Sequence, residues 1–154
     1  NIFVAHTPFH VFIAEMMVEN LDKFVNCKNV LLLEFNVDFD KYNPDLWSDV
    51  IILEYVGRST LGHKNYLKCE GNLSLVRTLV ADDSKSCIFL SDISHPINNR
   101  FFFSQKLRRI ASFCLISDGL GTYVNPKITT MLYLRGIVKQ INGLIQGGVR
   151  YTNY

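Results

Sequence analysis

Asp118-Gly119-Leu120-Gly121-Thr122-Tyr123 is the stretch whose residue types are best suited to chemistry. It follows an apolar run at residues 113–116 that reads as a buried strand, and it opens with one acid and two glycines. A carboxylate held at the end of a strand is well placed for general-base work. Gly119 and Gly121 permit a tight turn and a close approach of backbone to ligand. Thr122 and Tyr123 would orient a substrate or support the turn. The same residues also fit a plain strand-to-loop turn with a solvated Asp118.

A second group stands near the N-terminus. His6-Thr7-Pro8-Phe9-His10 lies where a first apolar strand passes into a helix. In an open α/β sheet, ligands bind beyond the carboxyl ends of the strands, so this junction should share an edge with Asp118. His6 and Thr7 offer groups for an acceptor hydroxyl. Thr7 also fits the N-cap of the helix, with Pro8 at its first position, and capping is the favoured role. His10 is expected on the helix surface. Ser91-Asp92 ends the fourth apolar run and would line the same edge. His95-Pro96 reads as a loop close to that cleft and is given no role.

The elements that must hold these groups follow from the patterning. Apolar runs at residues 2–5, 30–35, 50–55, 87–90 and 113–116 read as strands. Helical spacing of Phe9, Phe12, Ile13, Met16, Met17 and Leu21 marks a helix opened by Pro8. Further helices are expected over residues 67–80 and about residues 100–109, and a last one from Pro126 with Asn125 as N-cap. Residues 57–66 read as a loop rich in Gly, Ser and basic side chains. Strands alternating with helices imply an α/β fold, a Rossmann-like, mostly parallel sheet with helices on both faces. The first strand is not followed by GxGxxG and there is no GxxxxGK[ST], so neither a dinucleotide nor a P-loop site is supported.

A chain of 154 residues fits one domain, read here as a single unit over residues 1–154. Charged residues make up 19% and apolar ones 48%, which excludes a disordered chain. No apolar run reaches the roughly 18 residues of a membrane span. Cys27, Cys69, Cys87 and Cys114 show no CxxC spacing, and the histidines form no ligand-spaced cluster with them, so no metal site is expected. Free thiols fit a reducing, cytoplasmic setting. Charge is uneven: residues 1–97 carry 8 Lys/Arg against 13 Asp/Glu, whereas residues 98–154 carry 8 Lys/Arg and only Asp118. That basic third suits an acidic glycan, a nucleotide or an anionic membrane surface, and equally a solvated helical face.

The glycine-rich stretch resembles the acidic-acidic-glycine motif of bacterial sialyltransferases, in particular the capsule polysialyltransferases, where two acids precede Gly-x-Gly-Thr-Tyr. Asn1-Ile2-Phe3-Val4-Ala5-His6 followed by Ala14-Glu15 is similar to the family's first strand and helix. The resemblance covers both ends of the chain and leaves the middle variable. It implies the N-terminal, acceptor-side domain of a two-domain GT-B glycosyltransferase, with the donor-binding domain absent from this chain. It further implies Asp118 as base, CMP-sialic acid as donor substrate, and His6, Thr7, Gly119, Gly121, Thr122 and Tyr123 as substrate-binding residues. No cofactor and no metal are implied, because the family relies on protein groups to stabilise the departing phosphate. The implied partners are an acidic or neutral glycan acceptor in capsule or lipooligosaccharide synthesis and a peripheral contact with the anionic inner membrane. No nucleic acid is expected. The family's His-Pro pair lies well after the acidic motif, whereas His95-Pro96 precedes it. The chain also departs from the pattern at Ser117, which replaces the first acid. That departure keeps a second reading open, a noncatalytic glycan-binding or assembly module of the same pathway. A third is an unrelated Rossmann-like protein whose acid-glycine turn is structural.

Overall fold

The computed structural model describes residues 1–34, 42–56, 63–81, 86–91 and 95–116. Five strands form at the apolar runs: β1 (Ile2–Ala5), β2 (Val30–Leu33), β3 (Asp49–Ile52), β4 (Ser86–Leu90) and β5 (Ala111–Leu115). Every pairing is parallel and the strand order is β3-β2-β1-β4-β5. Parallel strands covered on both faces read as continuous apolar runs, which is why β1, β2 and β4 are so plain in the sequence. Helices α1 (Pro8–Asn20), α2 (His63–Ala81), α3 (Pro96–Phe102) and α4 (Gln105–Ile110) complete a Rossmann-like α/β arrangement.

The period of two sorts the strand residues between two cores. Phe3, Ala5, Leu31, Leu33 and Phe89 pack with Val11 and Ala14 of α1 and with Phe24 and Trp47. This side is aromatic: Phe3 stacks on Phe89 at 4.5 Å between centroids and meets Phe24 and Trp47 edge-on at 5.5 Å. Ile2, Val4, Val30, Leu32, Ile88 and Leu90 face the other way. They pack with Cys69, Leu73, Val76 and Val80 of α2, Ile97 and Phe101 of α3, and Leu107 of α4. Burial of these apolar side chains is the main favourable contribution to folding.

Three expectations are corrected. First, α1 does not bury the face that its spacing suggested. Phe9, Phe12 and Met16 are exposed, while His10, Val11 and Ala14 are buried. The helix is apolar on several sides, so periodicity alone does not choose a face; Ala14, being small, allows close approach to the sheet. His10 is therefore buried, not a surface residue. Second, α2 begins at His63, inside the stretch expected to be a loop. Its first turn is held from outside: Tyr66 lies under the Arg100 guanidinium at 5.5 Å, and Arg100 pairs with Glu70. Third, the single helix expected over residues 100–109 is two. Ser104 breaks it, its hydroxyl accepting from the Leu107 N–H at 3.4 Å to cap α4. The last helix expected from Pro126 lies outside the described residues. No helix among the described residues is long and apolar enough to cross a membrane.

Candidate functional site

The strand order places the topological switch between β1 and β4: the chain steps outward from β1 to β2 and β3, then returns through α2 to β4 on the other side. The crevice beyond the carboxyl ends at such a switch is the usual ligand position in open α/β sheets. Here it holds a buried polar cluster, which register explains. Ile2 and Val4 pair with Val30 and Leu32 on the α2 face. One further step of two brings His6 beside Glu34 on that same face. The Glu34 N–H still donates to the Ala5 carbonyl at 2.9 Å, so the ladder reaches the last residues before the cluster.

Glu34 has a fully buried side chain. Its Oε1 accepts the Val56 N–H at 2.5 Å, and its Oε2 meets His6 Nδ1 at 2.6 Å. Val56 is held there because Asn72 of α2 bonds both backbone groups of Glu54, donating to its carbonyl at 2.9 Å and accepting its N–H at 3.0 Å. His6 Nε2 faces the Asn98 side-chain oxygen at 2.8 Å. The His6 N–H donates to His10 Nδ1 at 3.2 Å, which gives the buried His10 its purpose. His95 stacks on His6, ring centroids 3.8 Å apart, with its Nε2 at 3.5 Å from Glu34 Oε2. Ser91, at the end of β4, is buried with no hydrogen-bond partner for its hydroxyl among the described residues. The charge of Glu34 also reaches α2: burial first, and this carboxylate second, push the Cys69 thiol up to about 12.

His6 Nδ1, Glu34 Oε2 and His95 Nε2 lie within 4.8 Å of one another, a His/His/Glu set of the kind that binds zinc. The described arrangement is nonetheless that of a hydrogen-bonded cluster. Tetrahedral bonds of about 2.0–2.1 Å would hold ligand atoms roughly 3.3 Å apart. The 2.6 Å His6–Glu34 contact is well inside that spacing and suits a short hydrogen bond. The two imidazoles are also stacked, only 23° from parallel, so they do not aim in-plane lone pairs at one point.

Of the residues singled out from the sequence, His6 stands at the expected edge, but both of its ring nitrogens are engaged and its side chain is 4% exposed. Thr7 is the N-cap of α1, its hydroxyl accepting from the His10 N–H at 3.3 Å. His95, given no role on sequence grounds, is part of the cluster. Asp118, Gly119, Gly121, Thr122 and Tyr123 lie outside the described residues, as does Asp92. The strand that leads to Asp118 is described: β5 runs parallel to β4, and the Ile116 N–H donates to the Leu90 carbonyl at 2.8 Å. Its carboxyl end is thus at the same edge as His6. Sequence reasoning gave no role to Glu34 or Asn98. The available signal was that two all-apolar strands end in His6 and Glu34, polar residues at matching positions. Comparison with family models, with curated proteins and with solved structures gives no match for this chain.

Proposed function

We propose that this chain is the acceptor-side domain of an inverting, sialyltransferase-like glycosyltransferase of GT-B type. The supporting observation is a coincidence of two independent patterns. Of the stretches that resemble the sialyltransferases, residues 1–6 with Ala14-Glu15 span β1 and enter α1, and the one that opens at Asp118 comes after β5; β1 and β5 run parallel in one sheet. A shared ligand edge is what such an enzyme needs. The buried polar cluster beside the switch adds to this, since a fold that needed only stability would fill those positions with apolar side chains.

In the reaction so proposed, Asp118 takes the proton of an acceptor hydroxyl. The oxygen then attacks the anomeric carbon of CMP-sialic acid. The bond from that carbon to the phosphate oxygen breaks, and CMP leaves with the electron pair, inverting the anomeric centre. Gly119 and Gly121 let the turn approach the sugar, with Thr122 and Tyr123 orienting it. The basic residues 98–154 would face an acidic glycan or the inner membrane surface. Ser117, in place of an acid, favours the second reading, a noncatalytic glycan-binding or assembly module.

The test uses a protein that carries this domain together with a donor-binding domain. Incubated with CMP-sialic acid and sialylated or neutral glycan acceptors, it should release CMP and yield a product whose NMR spectrum shows an inverted anomeric configuration. Glycan binding without CMP release would support the module. Neither binding nor release would remove both readings.

A further inference from the structure

An ionised carboxylate has only acceptor sites, so where Glu34 is ionised the ring nitrogen 2.6 Å from it presents a proton to it. Glu34 Oε2 therefore selects the form of His6 that carries hydrogen on Nδ1. The other oxygen is already committed to the Val56 N–H. The Asn98 amide at Nε2 can present either end to the ring, so the constraint on His6 comes from the Glu34 side. Each of these contacts joins a different part of the crevice. His6 leaves β1, Glu34 leaves β2, Val56 follows β3, His95 closes the connection from β4, and Asn98 is in the first turn of α3.

We propose that Glu34 is a positioning residue. It fixes the proton of His6 on Nδ1 and binds the exits of β1, β2 and β3 and the entry to α3 into one geometry. That geometry shapes the wall of the crevice on which, in the reading of the preceding section, the acceptor lies. A carboxylate buried against a histidine is a general device for setting tautomer and ring orientation. Packing alone does not call for it, because apolar residues of similar volume usually hold such a place as well or better than a buried charge. The Glu34 side chain is fully buried, so its effect on chemistry is transmitted through His6 and the loops.

The proposal is read directly from the ring nitrogens. In the whole chain labelled with ¹⁵N-histidine, two-bond ¹H–¹⁵N correlation should show His6 with hydrogen on Nδ1. Glu34→Gln has one amide oxygen, an acceptor, and one NH2, a donor. With its oxygen kept by the Val56 N–H, it offers a donor to His6, and Nδ1 should lose its hydrogen. Glu34→Asp should keep the wild-type pattern at Nδ1. In the two-domain enzyme, Glu34→Gln should lower kcat/KM for the acceptor by about 10²-fold, the scale of an ångström-level misplacement, with KM for CMP-sialic acid unchanged. A wild-type His6 without hydrogen on Nδ1 overturns the proposal, and it does so even if the variant does not fold. An unchanged His6 pattern in Glu34→Gln overturns it as well. The NMR result does not depend on sialyl transfer, so absence of transfer from the wild-type enzyme would strike only the functional reading.

Discussion

The bodies of β1, β2 and β4 and their carboxyl ends are built on opposite principles within one or two residues of each other. In the bodies, Phe3, Leu31, Leu32, Ile88 and Leu90 are buried and apolar, and each strand pairs with a neighbour on both sides. At the ends, the next residues are the polar His6, Glu34 and Ser91, of which Glu34 and Ser91 are buried and His6 is half-buried with an enclosed side chain. The first kind of burial is favourable without further conditions. The second kind is favourable only when each group finds its partner, and Glu34 finds two. A protein that keeps the second kind at the switch of a parallel sheet is holding a geometry there, whereas the first kind holds the fold.

The sharpest way to break this contrast is to damage each region once. Phe3→Ala removes a ring in contact with Phe24, Trp47 and Phe89 and should cost about 3–5 kcal/mol in denaturant unfolding. A loss below about 1 kcal/mol would mean that the aromatic layer is not the main support of the α1 side. Glu34→Ala removes far less apolar surface but leaves the Val56 N–H and His6 Nδ1 without their acceptor. It should cost about 3 kcal/mol, with Glu34→Gln clearly milder because it still serves Val56. Equal losses for Ala and Gln would show that neither the side-chain volume nor the bond to the Val56 N–H carries the effect, and that all of it lies in the carboxylate's contact with His6.

Smaller effects refine the boundary between the regions. Thr7→Ala removes the cap of α1 next to His6 and should cost about 1 kcal/mol by the same measurement. An unchanged stability would mean that the Thr7 hydroxyl does not support the helix start. Cys69 offers a test by pH. Its thiol is held at about 12 by burial and by Glu34, above the ordinary 9.0, so the unfolded chain loses this proton first. Stability should be intact below pH 9 and fall as the pH rises from 9 towards 12, and Cys69→Ala should flatten that fall. At neutral pH, exposed Cys27 should be alkylated first and Cys69 last.

How far the sequence discloses these regions differs for the same physical reason. Apolar runs announce parallel strands directly, and all five are where their runs suggest, within two residues at most termini. Thr7-Pro8 announces a helix start because capping is local chemistry. The buried face of α1 is not legible, since Phe9, Phe12 and Met16 are as apolar as Val11 and Ala14, and only the sheet decides between them. The cluster is harder still. His6, Glu34 and His95 are far apart in sequence, and no spacing rule connects them. They meet through the β1–β2 register and through the return of the chain to β4 across the switch. The break at Ser104 depends on one hydroxyl turning to a backbone N–H.

Asp118 is the proposed base, in a stretch that follows β5, and the carboxyl end of β5 shares an edge with those of β1 and β4. The direct measurement is sialyl transfer and melting temperature for Asp118→Asn in a protein that carries this domain together with the proposed donor-binding domain, taken on the same preparation. Loss of a positioned general base should lower transfer by roughly 10²- to 10⁴-fold while the melting temperature stays at the wild-type value. Transfer within a few-fold of wild type would contradict the account, and so would a loss of activity that only follows a fall in melting temperature.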